Sequence, residues 1–159
     1  MQNANKAKLS EMQRRIKIMA QLRDPQSGCQ WDVKQTMESL TRYTIEEAYE
    51  VADAIDRDDM IDLREELGDL LLQVVYPSQR ASEAVHFSFN DVAASISTKL
   101  IRRHPHVFAD APAGTAAELH KAWEEHKAAE RAAQGKHGGH LLDCITPTLP
   151  ALALAAKTS

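Results

Sequence analysis

Eleven acidic residues fall between Glu46 and Asp69, against two basic ones, Arg57 and Arg64. Within that block stand two short motifs, Glu46-Glu47-Ala48-Tyr49-Glu50 and Glu66-Leu67-Gly68-Asp69. They are symmetric about residue 58: Glu50 and Glu66 lie eight residues to either side, Glu47 and Asp69 eleven. Residues three or four apart share a helix face, and a helix rises about 1.5 Å per residue. A helical hairpin turning near Asp58 therefore sets Glu47 level with Asp69 and Glu50 level with Glu66. Four carboxylates then converge between antiparallel helices, and such a group repels itself unless cations neutralise it. An all-oxygen set without His or Cys favours Mg²⁺, with Mn²⁺ as a substitute, over zinc. Neither helix carries Glu-x-x-His, which argues against a ferritin-like di-iron bundle.

Not every acid in the block belongs to that set. Asp53, Asp56, Asp58, Asp59, Asp62 and Glu65 read as a solvated face and a turn. Glu47 differs because it falls on the apolar stripe Leu40–Thr44–Glu47–Val51, where a core residue is expected. Glu66 and Asp69 flank the stripe Leu63–Leu67–Leu70 in the same way.

The elements that position these residues are helical throughout. Leu9, Met12, Ile16 and Met19 mark a first amphipathic helix ending near Arg23-Asp24-Pro25. Residues 24–35 read as a loop containing Gly28, Cys29 and Trp31. A second helix is expected from about Glu38 to Asp56, with the turn at Asp56-Arg57-Asp58-Asp59. A third carries Leu63, Leu67, Leu70, Leu71, Val74 and Val75, a wide apolar face expected to be core, and Pro77 should end or kink it. A fourth runs from about Asn90 to Arg103, stopped with the help of Pro105. Thr115-Ala116-Ala117-Glu118 is a capping-box pattern that opens a fifth helix to about Ala133. No segment alternates as a strand does. The expected fold is all-α, a bundle of about five helices around the acidic hairpin, completed by dimerisation.

Composition agrees. Aromatic residues make up 5% of 159, and the length suits one domain. The net charge of −4 divides into −9 from residues 46–69 and +5 from the rest. A weakly acidic whole argues against binding a nucleic acid polymer. The split suits a metal-bound anionic ligand, with acids holding cations and bases elsewhere holding phosphate. Cys29 and Cys144 lack metal-type spacing and read as reduced thiols. His137 and His140 read as solvated, and His104 and His106 as structural. No membrane span or signal peptide is evident, so a cytoplasmic location is expected.

Together these residues resemble the MazG-type nucleoside triphosphate pyrophosphohydrolases, whose motif is Glu-Glu-x-x-Glu, a spacer, then Glu-x-x-Asp. Here it stands as Glu46-Glu47-x-x-Glu50 and Glu66-x-x-Asp69. The likeness extends to Leu22-Arg23-Asp24-Pro25 with Gly28-Cys29-Gln30-Trp31-Asp32, and to Lys99-Leu100-Ile101-Arg102-Arg103-His104-Pro105. It extends also to Trp123-Glu124-Glu125-His126-Lys127 and to the tail Leu149-Pro150-Ala151-Leu152.

The resemblance implies Mg²⁺-dependent hydrolysis of a nucleoside triphosphate to monophosphate and pyrophosphate, as in the removal of noncanonical or surplus nucleotides. It implies Glu47, Glu50, Glu66 and Asp69 as metal ligands and Glu46 as the carboxylate that orients or deprotonates the attacking water. Lys99, Arg102 and Arg103 become a phosphate clamp, Lys99 and Arg103 sharing a face at i, i+4. Trp123, Lys127 and, in the N-terminal loop, Trp31 become nucleotide contacts. A homodimer or dimer of dimers is expected.

The resemblance also implies a MazG-like domain over 1–134, followed by a flexible linker or tail over 135–159 that is similar to the lead-in to a second domain. Two departures from the family pattern are Gln30, where a Pro is common, and Tyr76-Pro77-Ser78-Gln79, where a His in an uninterrupted helix is common. Two rivals stay open: a catalytically silent metal- or nucleotide-binding module, and a related dCTP/dUTP or phosphoribosyl-ATP pyrophosphohydrolase.

Overall fold

The computed structural model describes residues 10–112 and 114–133. The tail and linker expected over 135–159, with Cys144, His137 and His140, lie outside these residues, as does Leu9. Seven helices and no strand are found among the described residues: α1 (Glu11–Leu22), α2 (Gln30–Lys34), α3 (Met37–Asp56), α4 (Met60–Glu83), α5 (Phe89–Arg103), α6 (Pro105–Phe108) and α7 (Ala116–Ala133). The chain divides into two compact units, residues 1–97 and 98–159. None of these helices is long and apolar enough to cross a membrane.

Local chemistry explains where the helices of the first unit begin and end. Ser10 caps α1 and Thr36 caps α3, each in a capping box with the side chain three residues on, Gln13 and Ser39. Asp59 caps α4, its carboxylate accepting the backbone N–H groups of Ile61 and Asp62 at 3.1 Å. Between α3 and α4 the chain reverses through Arg57 and Asp58, the latter at φ 54, a left-handed conformation that Asp tolerates. Arg57 binds Asp53 at 2.7 Å and Asp59 at 3.3 Å, and also pairs with Asp62. Three acids expected to be merely solvated thus gather round one guanidinium and clasp the turn.

The core of this unit is small. Met19, Leu40, Val75 and Tyr76 are buried together, with Met12, Ile16, Tyr43, Leu72 and Phe89 packed against them. The periodicity of α1 is borne out by Met12, Ile16 and Met19. The broad apolar face of α4 is not: only Val75 of the six named residues is buried, while Leu67 is half-exposed. α1 and α3 pack against α4, and they cover one side of it.

Pro77 does not end the helix; α4 runs through it to Glu83. Proline removes one backbone donor, but Val75, Tyr76, Ser78 and Ala81 are all buried around it. Tertiary packing on both sides outweighs the local penalty. Ser78 Oγ donates to the Val74 carbonyl at 2.7 Å, adding a local bond beside the gap. The helix then closes with the N–H of Val85 on Ser82 and that of His86 on Ala81, and Val85 sits at φ 59.

The stretch expected to be all loop, residues 24–35, contains α2. Asp24 accepts the N–H groups of Gln26 and Ser27 at 2.9 and 2.7 Å, and Gly28 N–H returns to the Asp24 carbonyl at 2.8 Å. A Cβ on Gly28 would lie 2.4 Å from the Leu22 carbonyl oxygen and 2.5 Å from that of Asp24. Only glycine fits this close approach of backbone to backbone.

In the second unit, Thr115 caps α7, its hydroxyl and backbone N–H both donating to Glu118 at 2.8 Å. That matches the capping box read from the sequence.

Candidate metal centre and anion-binding residues

The α3–α4 hairpin brings Glu47, Glu66 and Asp69 together, with one carboxylate oxygen from each within 4.8 Å of the others. Glu47 and Glu66 are half-buried and Asp69 is exposed. Burial raises the Glu47 carboxyl above its ordinary value, and the charges of Asp69, Glu50 and Glu66 raise it further. Glu66 is raised by the same causes: burial first, then Glu50, Asp62 and Asp69 among its neighbours. Glu50 stands outside the tight trio, yet its charge bears on both glutamates. The level register is therefore seen for Glu47 with Asp69.

A divalent cation fits this donor set. The ligands are hard carboxylate oxygens, and two of them carry an electrostatic cost that a bound cation would relieve. Glu46, on the neighbouring position of α3, is exposed and is not part of the trio.

Two further contacts tie the helices of this unit to one another. Arg15, on α1, donates Nη1 to the Gly68 carbonyl at 3.1 Å, one residue before Asp69. Arg23 is buried, its guanidinium bound to Glu83 and to the carbonyl of Asp32, with the Tyr76 ring 5.6 Å away. Tyr76 Oη donates to the Asp32 carbonyl at 2.8 Å and lies 3.1 Å from Asp32 Oδ1. Burial pushes the Tyr76 phenol up to about 12. These bonds tether α2 and hold Trp31 in place. Trp31 is half-exposed and meets Tyr43 edge-on, ring centroids 6.3 Å apart, and Arg42 lies 4.4 Å over the Tyr43 ring. Tyr43 is one helical turn before Glu47 on α3. The sequence reading noted Trp31 but not Tyr43 or Arg42.

The remaining predicted residues belong to the second unit. Arg102 and Arg103 both bind Glu130, Nε to Oε1 at 2.9 and 3.1 Å. The two arginines hold the Glu130 carboxyl down at about 2, Arg103 contributing most. Arg103 also lies 5.0 Å over the Trp123 ring, and His104 packs on that ring at 5.1 Å. Arg103, Trp123, His104, His106, Leu119 and His120 line a cavity of about 300 Å³. Lys99 makes no ion pair among the described residues, whereas Lys127 is bound to Glu124 at 2.7 Å. Glu130 thus brings Arg102 and Arg103 together.

Comparison with known proteins bears on the whole arrangement. Residues 35–108, which contain the acidic hairpin and Lys99 to Arg103, match the MazG nucleotide pyrophosphohydrolase domain. Over 149 residues, 94% of its length, the chain is 51% identical to the nucleoside triphosphate pyrophosphohydrolase of Escherichia coli strain K12. The chain carries a MazG domain. A second MazG relative, the nucleoside triphosphate pyrophosphohydrolase/pyrophosphatase MazG of Thermotoga maritima, is 48% identical over 144 residues, 89% of this chain. The chain spans 56% and 52% of the lengths of these two curated relatives. The crystal structure of a mazG-related protein from Thermotoga maritima superposes with a TM-score of 0.59 at 27% identity, covering 72% of this chain and 97% of that one. Trp31, Trp123 and Lys127 fall outside the matched MazG domain and inside the wider likeness to these relatives.

Proposed function

We propose that the chain hydrolyses nucleoside triphosphates to nucleoside monophosphate and pyrophosphate in the cytoplasm, with Mg²⁺ as cofactor and Mn²⁺ able to replace it. The observation that carries this reading is the convergence of Glu47, Glu66 and Asp69 on one point between α3 and α4.

Glu47, Glu50, Glu66 and Asp69 would hold the cation. When bound, it supplies Lewis-acid neutralisation of the phosphate charge. Glu46 accepts a proton from the attacking water, whose oxygen forms a bond to the α-phosphorus. The bond from the α-phosphorus to the bridging oxygen breaks, and pyrophosphate leaves with that oxygen. Lys99, Arg102 and Arg103 bind the phosphates, Arg by its bidentate fork. Trp31 and Trp123 offer aromatic faces to the base, and Lys127 reaches the nucleotide from the turn after Trp123.

Ile45, Tyr49, Ile55, Ile61, Leu67 and Val74 are exposed on α3 and α4. So much apolar surface on the helices bearing the acids supports a homodimer or dimer of dimers, in which a second copy covers it.

The test is a panel of nucleoside triphosphates incubated with the chain and Mg²⁺, with pyrophosphate and monophosphate measured. Pyrophosphate release that stops on chelation is expected. Orthophosphate release would mean a different bond breaks, and tight nucleotide binding without turnover would identify a silent binding module.

A further inference from the structure

The contact that stands out beyond the metal centre is the one that occupies the two arginines. Arg102 and Arg103 are adjacent on α5, so their side chains leave the helix about 100° apart. Glu130, 27 residues after Arg103 on α7, nevertheless engages both. Its Oε1 accepts from Arg102 Nε at 2.9 Å and from Arg103 Nε at 3.1 Å and is ion-paired with Arg102 Nη2 at 2.5 Å, while Oε2 takes Arg103 Nη2. In each guanidinium the edge so used is the Nε/Nη2 pair, an edge that binds a phosphate by two parallel bonds.

We propose that Glu130 is an internal competitor for the triphosphate, its carboxylate occupying the phosphate-binding edges of Arg102 and Arg103 until an anion displaces it. This rests on the reading of Arg102 and Arg103 as phosphate ligands and adds to it the residue that sets their affinity.

Three observations support the exchange. The group is chemically matched, since a carboxylate presents two oxygens to the same fork that a phosphate would take. Room is available beside it, because Arg102, Glu130, His126, Ala129 and Ala133 line a cavity of about 420 Å³. His126 contributes there a buried ring nitrogen, Nδ1, without a hydrogen-bond partner among the described residues. The pair is also not opened by protons: with the Glu130 carboxyl held at about 2, it stays ionised at any pH near neutrality. Only a competing anion releases the arginines. Two positive charges against one negative leave the group cationic, so it attracts the anion that replaces Glu130.

Glu130→Gln removes the competing charge and leaves a side chain of similar size. Calorimetric titration of the full chain with inorganic tripolyphosphate should show about fivefold tighter binding for this variant, the scale of a part-exposed ion pair. Glu130→Asp, which keeps the charge but draws the carboxylate back by one methylene, should fall between it and the wild type. In turnover the gain should appear as a lower KM with kcat unchanged. Thermal melts establish that each variant is folded, and should Glu130→Gln not fold, Glu130→Asp decides. Equal or weaker tripolyphosphate binding by the folded variant overturns the proposal and makes Glu130 a structural tie. If the wild type releases no pyrophosphate from any nucleotide while Glu130→Gln still binds tripolyphosphate more tightly, the enzymatic reading falls and the competition stands. Wild-type turnover with no tightening in the variant gives the reverse.

Discussion

Arg23 donates Nε and Nη2 to the two carboxylate oxygens of Glu83, sixty residues later, at 2.8 and 2.7 Å. The guanidinium is almost wholly buried, and its third arm holds the carbonyl of Asp32. A single ion pair therefore ties the end of α1, the start of the Trp31 segment and the end of α4 to one another.

Glu83→Gln leaves that buried cation without its counter-charge and should cost about 3 kcal/mol of stability. The pH dependence has a definite sign. Arg23 holds the Glu83 carboxyl below its ordinary value of 4.5, so its contribution is complete above that value and is lost as pH falls through the lowered one. Urea midpoints of wild type and variant should differ by a constant amount near neutrality and draw together in acid. A gap that persists unchanged to about pH 3 would show that the ion pair is not its source.

Glu66→Gln and Glu47→Gln should each lower metal-dependent turnover by about a hundredfold or more, beyond the 10–100-fold typical of residues that only support a ligand. In chelator the same variants should melt higher than the wild type, because each removes one charge from a group that burial and its neighbours already disfavour. Pyrophosphate assays and melting curves with and without Mg²⁺ read both effects. Turnover like the wild type's in both variants would dismiss the carboxylate assignment.

Gly28 and Gly68 should respond in opposite senses to alanine. At Gly28 the new methyl meets backbone atoms at 2.4 to 2.8 Å, so Gly28→Ala should cost at least about 2 kcal/mol and loosen Trp31. At Gly68, inside α4, a Cβ meets nothing within 4 Å, and Gly68→Ala should stabilise the chain by about 1 kcal/mol. Denaturant titration decides both. A loss of stability at Gly68 would reveal another surface lying against it in the assembled protein.

Val85 holds a left-handed conformation that its branched side chain disfavours, at the point where α4 closes. Val85→Gly should raise stability by about 1 kcal/mol, visible as a higher melting temperature. A fall would mean that the exposed isopropyl group has a packing role.

Local periodicity made the α3–α4 hairpin and its level acids legible, because helix geometry alone relates Glu47 to Asp69 across a turn at Asp58. Thr115 and Glu118 announced α7 for the same reason, since a capping box is complete within four residues. Pro77 does not end α4, because its penalty is local, whereas the burial of Val75, Tyr76 and Ser78 that outweighs it comes from packing against other helices. The face around Leu67 reads as core in any one-chain account, and in this chain much of it stays in solvent. Arg23 with Glu83, and Arg102 and Arg103 with Glu130, are pairs between distant positions that no spacing rule connects. Arg57 could have been foreseen: it is the lone base in a turn crowded with acids.

The scarcity of buried side chains has a consequence for how the chain unfolds. Met19, Leu40, Ala54, Val75, Tyr76 and Ala81 are the buried apolar residues among those described. Under the homo-oligomer proposal, much of the remaining driving force is supplied by association, and mass action then enters the melting curve. Dilution alone should lower the melting temperature of the wild type. Each tenfold step in protein concentration is worth about 1.4 kcal/mol of association free energy.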